Sequence, residues 1–252
     1  MKFSLLIEYC GTNYSGWQKQ PFQKNTKTVQ EEIIKAVNTV FKKTKSVSKL
    51  LDLQGSGRTD AGVHALGPVA HLECETMLSP EVLKMKINDE LPSDINILEI
   101  TRANKNFHAR HSAKSRQYLY VISKRRSAFE KRFVWWVKDR LDVRKMIKSA
   151  ELFKGMHDFR LFAEKTNDGK STKCLIEFIE ITEDENKIYI RIRASHFLWK
   201  MVRRIVGTLV EAGRCNIDED TICKLLKGNE TDFIPALYTA PPSGLFLEKV
   251  FY

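Results

Sequence analysis

Phe3, Leu5, Ile7 and Tyr9 fall on alternate positions of Lys2–Tyr9, and a period of two puts them on one face of a half-buried strand. Such a face must be covered by a second layer. The sequence supplies one at once: Val29, Ile33, Ala36, Val37, Val40 and Phe41 make a single helical stripe, with Thr28 and Glu31 spaced as a capping box. Leu50, Leu51 and Leu53 read as a buried strand, and Val69–Leu72 as another. Ser79 and Pro80 start a second helix that turns Leu83, Ile87 and Leu91 inward and stops at Pro92; Asn96–Arg102 closes the set as a strand.

The same grammar recurs further on. Ser115–Ser123 alternates, Asp142 caps a helix with Val143, Met146, Ile147, Ala150 and Phe153 facing in, and Cys174–Glu183 with Lys187–Ala194 read as a hairpin. Phe197–Ala212 is a strongly apolar helix whose polar side is Lys200, Arg204 and Gly207, with Arg203 at its margin. A short helix over Asp218–Lys227 closed by Gly228 and a strand over Leu245–Tyr252 follow. The expected fold is therefore α+β, in two similar lobes of residues 1–104 and 105–252. Each is a mostly antiparallel sheet with helices on one face, and the two flank a basic cleft.

Between the strands at Leu53 and Val69 lies Gly55-Ser56-Gly57-Arg58-Thr59-Asp60-Ala61-Gly62-Val63-His64-Ala65. Glycines at this density mark a tight turn, and a carboxylate at the end of two strands is well placed for chemistry. The bland alternative is a hairpin in which Asp60 bonds only its own backbone. Neither GxGxxG nor a Gly-Lys-Ser/Thr ending is present, so the loop is not a phosphate cradle.

The formal charge is +11 at pH 7, which favours a polyanionic partner. Much of it is concentrated in residues 105–140, where eleven Lys and Arg face only Glu130 and Asp139. Phe107, Tyr118, Tyr120, Phe129, Phe133, Trp135 and Trp136 lie among those charges, as expected where phosphates are gripped and bases stacked. Arg110, Arg116, Arg125 and Arg126 are the candidate phosphate contacts. Five scattered cysteines without a CxxC pair point to reduced thiols, and no metal is expected, since His71-x-x-Cys74 and His108-x-x-His111 lack a matching second pair. No apolar run is long enough to span a bilayer and no leader pattern opens the chain, so a cytoplasmic protein without membrane contact is expected.

Gly57-Arg58-Thr59-Asp60-Ala61-Gly62-Val63-His64-Ala65 resembles the active-site motif of the TruA family of tRNA pseudouridine synthases. Further signatures follow in family order: Tyr9-x-Gly11-x-x-Tyr14-x-Gly16-Trp17-Gln18, Thr28-Val29-Gln30, Leu91-Pro92-x-Asp94-Ile95, Phe107-His108-Ala109-Arg110, Arg116-x-Tyr118-x-Tyr120, Gly155-x-His157-Asp158-Phe159, Met201-Val202-Arg203 and Gly244-Leu245-Phe246-Leu247. The resemblance implies isomerisation of uridine in the anticodon stem-loop of tRNA, without cofactor or metal, by a homodimer. It assigns Asp60 as nucleophile, Tyr118 as the group over the flipped base and Arg203 as the ion-pair partner of Asp60. Arg58, His64 and Leu245 would contact substrate. Two departures stand out: Arg204 replaces the usual Asn, and Lys86–Glu90 lacks the usual Trp-Gly. A basic RNA-binding module without catalysis, or a synthase with other RNA targets, would share the basic patch.

Overall fold

The computed structural model describes residues 1–20, 26–44, 48–164 and 171–252. They form two compact units, Met1–Lys114 with Leu247–Tyr252, and Ser115–Phe246.

In the first unit β1 (Lys2–Tyr9) buries Phe3, Leu5, Ile7 and Tyr9 in strict alternation. Helix α1 (Val29–Lys43) follows, then β2 (Lys49–Gly55), the two-residue β3 (His64–Ala65) and β4 (Val69–Glu75). Helix α2 (Pro80–Glu90) and β5 (Ile95–Arg102) come next. β1 is central: it pairs antiparallel with β4, with β5 and, at Tyr9, with β3, while β2 pairs with β4. α1 packs on β2 and α2, and α2 on β5. β2 is an edge strand, so only Leu53 of its three leucines is buried and Leu51 is 49% exposed; the apolar run is less buried than its composition suggests.

The capping box expected at Thr28 does not form. The first N–H groups of α1 are taken by an earlier stretch instead, Val29 N–H donating to the Gly16 carbonyl (3.2 Å) and Gln30 N–H to that of Trp17 (3.0 Å). The chain before the helix thus serves two of the N–H groups that a helix start leaves open, and Thr28 serves none through its side chain. Residues 105–114 stay with this unit rather than the second because Lys2 Nζ donates to the Lys105 carbonyl (2.9 Å), Tyr252 Oη to that of Ala109 (2.8 Å) and Lys114 N–H to that of Phe251 (2.8 Å).

The second unit is built on β6 (Ser115–Ser123), with the short parallel β7 (Trp135–Trp136) beside it. Helix α3 (Val143–Glu151) is capped by Asp142, whose Oδ1 accepts from Lys145 N–H at 3.1 Å. β8 (Gly155–Asp158), β9 (Lys173–Glu183) and β10 (Lys187–Ala194) complete an antiparallel order β6-β10-β9-β8. Helices α4 (Met201–Gly213) and α5 (Glu219–Leu226) follow, and then strand β11 (Leu245–Phe251), whose residues from Leu247 on belong to the first unit. α3 lies on α4 and β9; its Ile147 is exposed, outside the buried face of Val143, Met146 and Ala150.

α4 begins four residues later than its apolar run because Lys200 adopts φ +62 as its N-cap. Every residue from Met201 to Gly213 is buried except Arg203. The expected solvated side is therefore absent. Arg204 is 6% exposed, and a Cβ on Gly207 would stand 1.6 Å from the Tyr238 carbonyl oxygen. Gly207→Ala should cost ~1–3 kcal/mol as an overpacked site, several degrees of Tm for a chain this size. Gly57→Ala, whose Cβ meets nothing within 4 Å, should leave the melting curve in place.

Candidate active site

Asp60 sits in the turn between β2 and β3, partly exposed, with Arg58 exposed two residues before it. Nothing about this turn is loose. At its start Ser56 N–H donates to the Val69 carbonyl (2.7 Å), and Ser56 Oγ accepts from Val69 N–H (3.2 Å). At its end Val63 N–H returns to the Asp60 carbonyl (3.2 Å), with Gly62 at φ +77. Gly11 N–H donates to His64 Nδ1 at 3.0 Å.

Residues 9–17 grip the turn from the side. Trp17 N–H donates to the Thr59 carbonyl (3.2 Å), Gly62 N–H to that of Tyr14 (3.2 Å), and the Tyr9 and Thr59 hydroxyls share a hydrogen bond of 2.8 Å. The approach is close enough to exclude side chains. A Cβ on Gly11 would lie 1.9 Å from the Val63 oxygen, and one on Gly16, at φ +99, 2.4 Å from the Thr59 oxygen. The glycines thus serve contact and positive φ, where composition suggested only freedom to turn. Gln30 extends the brace, donating through Nε2 to the Leu53 carbonyl (2.7 Å) and accepting at Oε1 from Gln18 and Lys19. Tyr14 donates its hydroxyl to Asp94, and burial together with that carboxylate pushes its phenol well above the usual range.

Of the expected substrate contacts in this unit, Arg58 and Arg110 are exposed, whereas His64 is 1% exposed. Its Nδ1 lone pair is committed to Gly11, a position that supports the turn from beneath.

In the second unit one segment joins two candidates, Arg203 and Leu245. Arg203 Nε donates to the Ala240 carbonyl (2.6 Å), and Ala240 N–H to the Arg203 carbonyl (3.1 Å). Buried Tyr120 donates its hydroxyl to Pro241 (2.8 Å), and its ring lies where a Cβ on Gly244 would be, 2.7 Å away. The segment 240–244 is thereby fixed between α4 and β6 and delivers buried Leu245 at its end. Tyr118, half-buried two residues before Tyr120, meets Phe197 edge to face at 5.0 Å. Arg116 Nη1 donates to the Ser195 carbonyl (3.2 Å). Arg125 and Arg126 are exposed beyond the end of β6.

Arg204 does not add charge to this surface. Its Nη2 lies 2.5 Å from Glu164 Oε2, which also takes Lys200 at 3.1 Å. Burial pulls the Arg204 guanidinium below its usual range, and Glu164, held by Lys200 and Arg204, is lowered as well.

A family model described as tRNA pseudouridine synthase matches residues 5–112 and 149–252. The chain belongs to this family, in its TruA branch. The tRNA pseudouridine synthase A of Thermoanaerobacter sp. (strain X514) is 38% identical over 250 residues, spanning 98% of both chains. That of Ehrlichia chaffeensis is 38% identical over 255 residues and 100% of both, and that of Ruminiclostridium cellulolyticum 39% over 254 residues, 100% of this chain and 99% of the relative. Among solved structures, an H/ACA ribonucleoprotein bound to a substrate RNA aligns with 83% of this chain and 52% of its own, at 10% identity and a TM-score of 0.35, too loose a likeness to bear on the site.

One grouping has no signal in spacing. His71, His108 and His111 lie ring against ring in series, tilted by 59° and 53° with centroids 4.6 and 4.3 Å apart, although His71 is far from the others in sequence. His71 Nδ1 accepts from Ala109 N–H (3.2 Å), so its proton sits on Nε2, facing Asp52 Oδ2 at 3.3 Å. Among the described residues no group of three His, Cys, Asp or Glu could hold a metal ion. Nor is any helix of the described residues long and apolar enough to cross a membrane. His108 is held below the usual imidazole range by burial and by His71, His111 and Lys2, with Asp52 opposing. A lowered folded value means that its contribution to stability is complete above about pH 6.5 and is lost as pH falls through the folded value. Urea midpoints should therefore drop more between about pH 7.5 and 5 for the wild type than for His108→Asn, which keeps an acceptor for the Arg110 and His111 N–H groups. Equal drops would rule the cluster out as the source.

Proposed function

We propose that this chain isomerises uridine to pseudouridine in the anticodon stem-loop of tRNA, with Asp60 as the nucleophile. The observation that carries the reading is the bracing of the Asp60 turn. Tyr9, Gly11, Tyr14, Gly16, Trp17 and Gln30, all parts of the family signatures, hold one another or the turn. A nucleophile gains most from a position fixed before the substrate arrives.

The reaction exchanges an N–C glycosidic bond for a C–C bond. Asp60 adds to the nucleoside so that the N1–C1′ bond breaks while the base is retained, the base turns, C5 bonds to C1′, and the bond to Asp60 breaks again to return the free carboxylate. Tyr118 takes the proton leaving C5 and relays a proton to N1, so that both side chains end as they began. Atoms and electrons balance within the nucleoside, so the chemistry calls for no co-reactant. Arg203, the one residue of α4 that is not buried, is assigned as the ion-pair partner that aims the Asp60 carboxylate, since a planar guanidinium can hold a carboxylate bidentately. A paired uridine must leave its stack first, at a cost of a few kcal/mol; Arg58 fills the space it vacates and Leu245 packs on the ring. Arg110, Arg116, Arg125 and Arg126 hold phosphates, and His64 positions the turn. The working protein is a cytoplasmic homodimer, which light scattering after gel filtration will test.

Release of tritium from tRNA labelled at C5 of uridine measures turnover directly. Asp60→Ala should lower it by at least ~10³, on the order of 4 kcal/mol, while tRNA affinity and Tm stay close to wild type. Turnover within tenfold of wild type would favour the RNA-binding reading. Arg203→Lys should also lose most activity, because an ammonium lacks the planar fork.

A further inference from the structure

Among the large apolar side chains exposed in the described residues, Phe129 is the most exposed, at 94%, yet it stands on a fixed backbone. Ser123 Oγ donates to the Arg125 carbonyl at 2.6 Å, and Glu130 N–H donates to Ser127 Oγ at 3.2 Å. Phe133 N–H closes a turn on the Glu130 carbonyl (2.8 Å), and Lys187 of β10 pairs with the Glu130 carboxylate. Beyond the turn, Val134 is buried against Leu119, Val121 and Phe246, and Trp135 meets Tyr120 edge to face at 6.2 Å. Both ends are anchored and the ring between them is displayed.

The surroundings are cationic. Arg125, Arg126 and Lys131 are exposed and make no ion pair among the described residues; Arg126 lies over the Trp136 ring, 6.0 Å from its centroid. A protein partner covering Phe129 would have to desolvate these charges, whereas phosphates would neutralise them. A lone ring offers a π face to a single base, and a base inside a duplex cannot reach it. The segment also lies in residues 113–148, between the two blocks that the family model matches.

We propose that residues 125–136 extend the RNA-binding surface with a stacking site, in which one unpaired base of the bound RNA stacks on Phe129 and its flanking phosphates are held by Arg125, Arg126 and Lys131. This rests on the reading of the chain as an RNA-acting enzyme, but its test needs no turnover.

Fluorescence anisotropy with the full-length chain would compare a labelled single-stranded oligouridylate of about ten nucleotides with a duplex of the same length. Phe129→Ala and Phe129→Leu should each weaken single-strand binding at least about fivefold, the low end for a base on an aromatic ring. Phe129→Trp should retain it, duplex affinity should not change, and all three variants should melt as wild type does. Arg125→Ala with Arg126→Ala should lower the slope of log K against log salt by about 1.4. Unchanged affinity in Phe129→Ala overturns the site. So does full affinity in Phe129→Leu, which would make the contact merely apolar, and so does Phe129-dependent binding to phosphatidylserine vesicles or Phe129-dependent self-association in place of RNA binding. Running the tritium assay beside the titration on the wild-type chain separates the two readings. A wild-type chain that releases no tritium but shows the Phe129 effect keeps this site and loses the proposed reaction, and one that turns over without the Phe129 effect does the opposite.

Discussion

Two stretches of backbone meet with no side chain between them, and the geometry of the Asp60 turn depends on that contact. Gly11 and Gly16 leave the room in which Trp17 and Gly62 exchange main-chain hydrogen bonds with Thr59 and Tyr14. Each bond is modest in net energy, about 1 kcal/mol. Together they hold a turn that a flexible glycine-rich loop would otherwise explore at an entropic cost of 1–2 kcal/mol per residue. The carboxylate is thereby positioned from residues about fifty places earlier in sequence.

This arrangement explains why some of the molecule was legible in the sequence and some was not. Strict alternation in Lys2–Tyr9 and Lys187–Ala194 survived as strands because one face of each is buried in a sheet, and period two is a direct consequence of that. The Asp60 turn could be read from its glycines and charges, but its rigidity could not, since the partners lie in another stretch. Thr28 and Glu31 carried a valid local signal that tertiary bonds from Gly16 and Trp17 made unnecessary. The three histidines belong to β4 and to the turn after β5, and no one-dimensional pattern joins those.

α4 shows the opposite failure. Amphipathic reading assumes that a helix has one dry side and one wet side; here the polar side is dry as well. Arg203 and Arg204 are neighbours in sequence and differ completely in circumstance. Arg204 is turned into protein to meet Glu164, while Arg203 alone keeps access to solvent and is tied to Ala240 by two hydrogen bonds. The sequence departure at residue 204 is accommodated by a local counter-charge.

The first unit is discontinuous: it takes Met1–Lys114 and then Leu247–Tyr252, whose Leu247 carbonyl accepts from Leu66 and Gly67 just beyond β3. Synthesis on the ribosome runs from residue 1 onward, and domains ordinarily fold in that order. Here the first unit stays incomplete until residues 247–252, which follow the second unit in the chain, have been made, so the second unit, continuous from Ser115 to Phe246, has all its parts earlier. The Asp60 turn and the stretch that braces it are translated early, whereas residues 247–252, which complete their unit, come only after the second unit, which keeps a nascent chain from presenting a finished first unit before the second has been made.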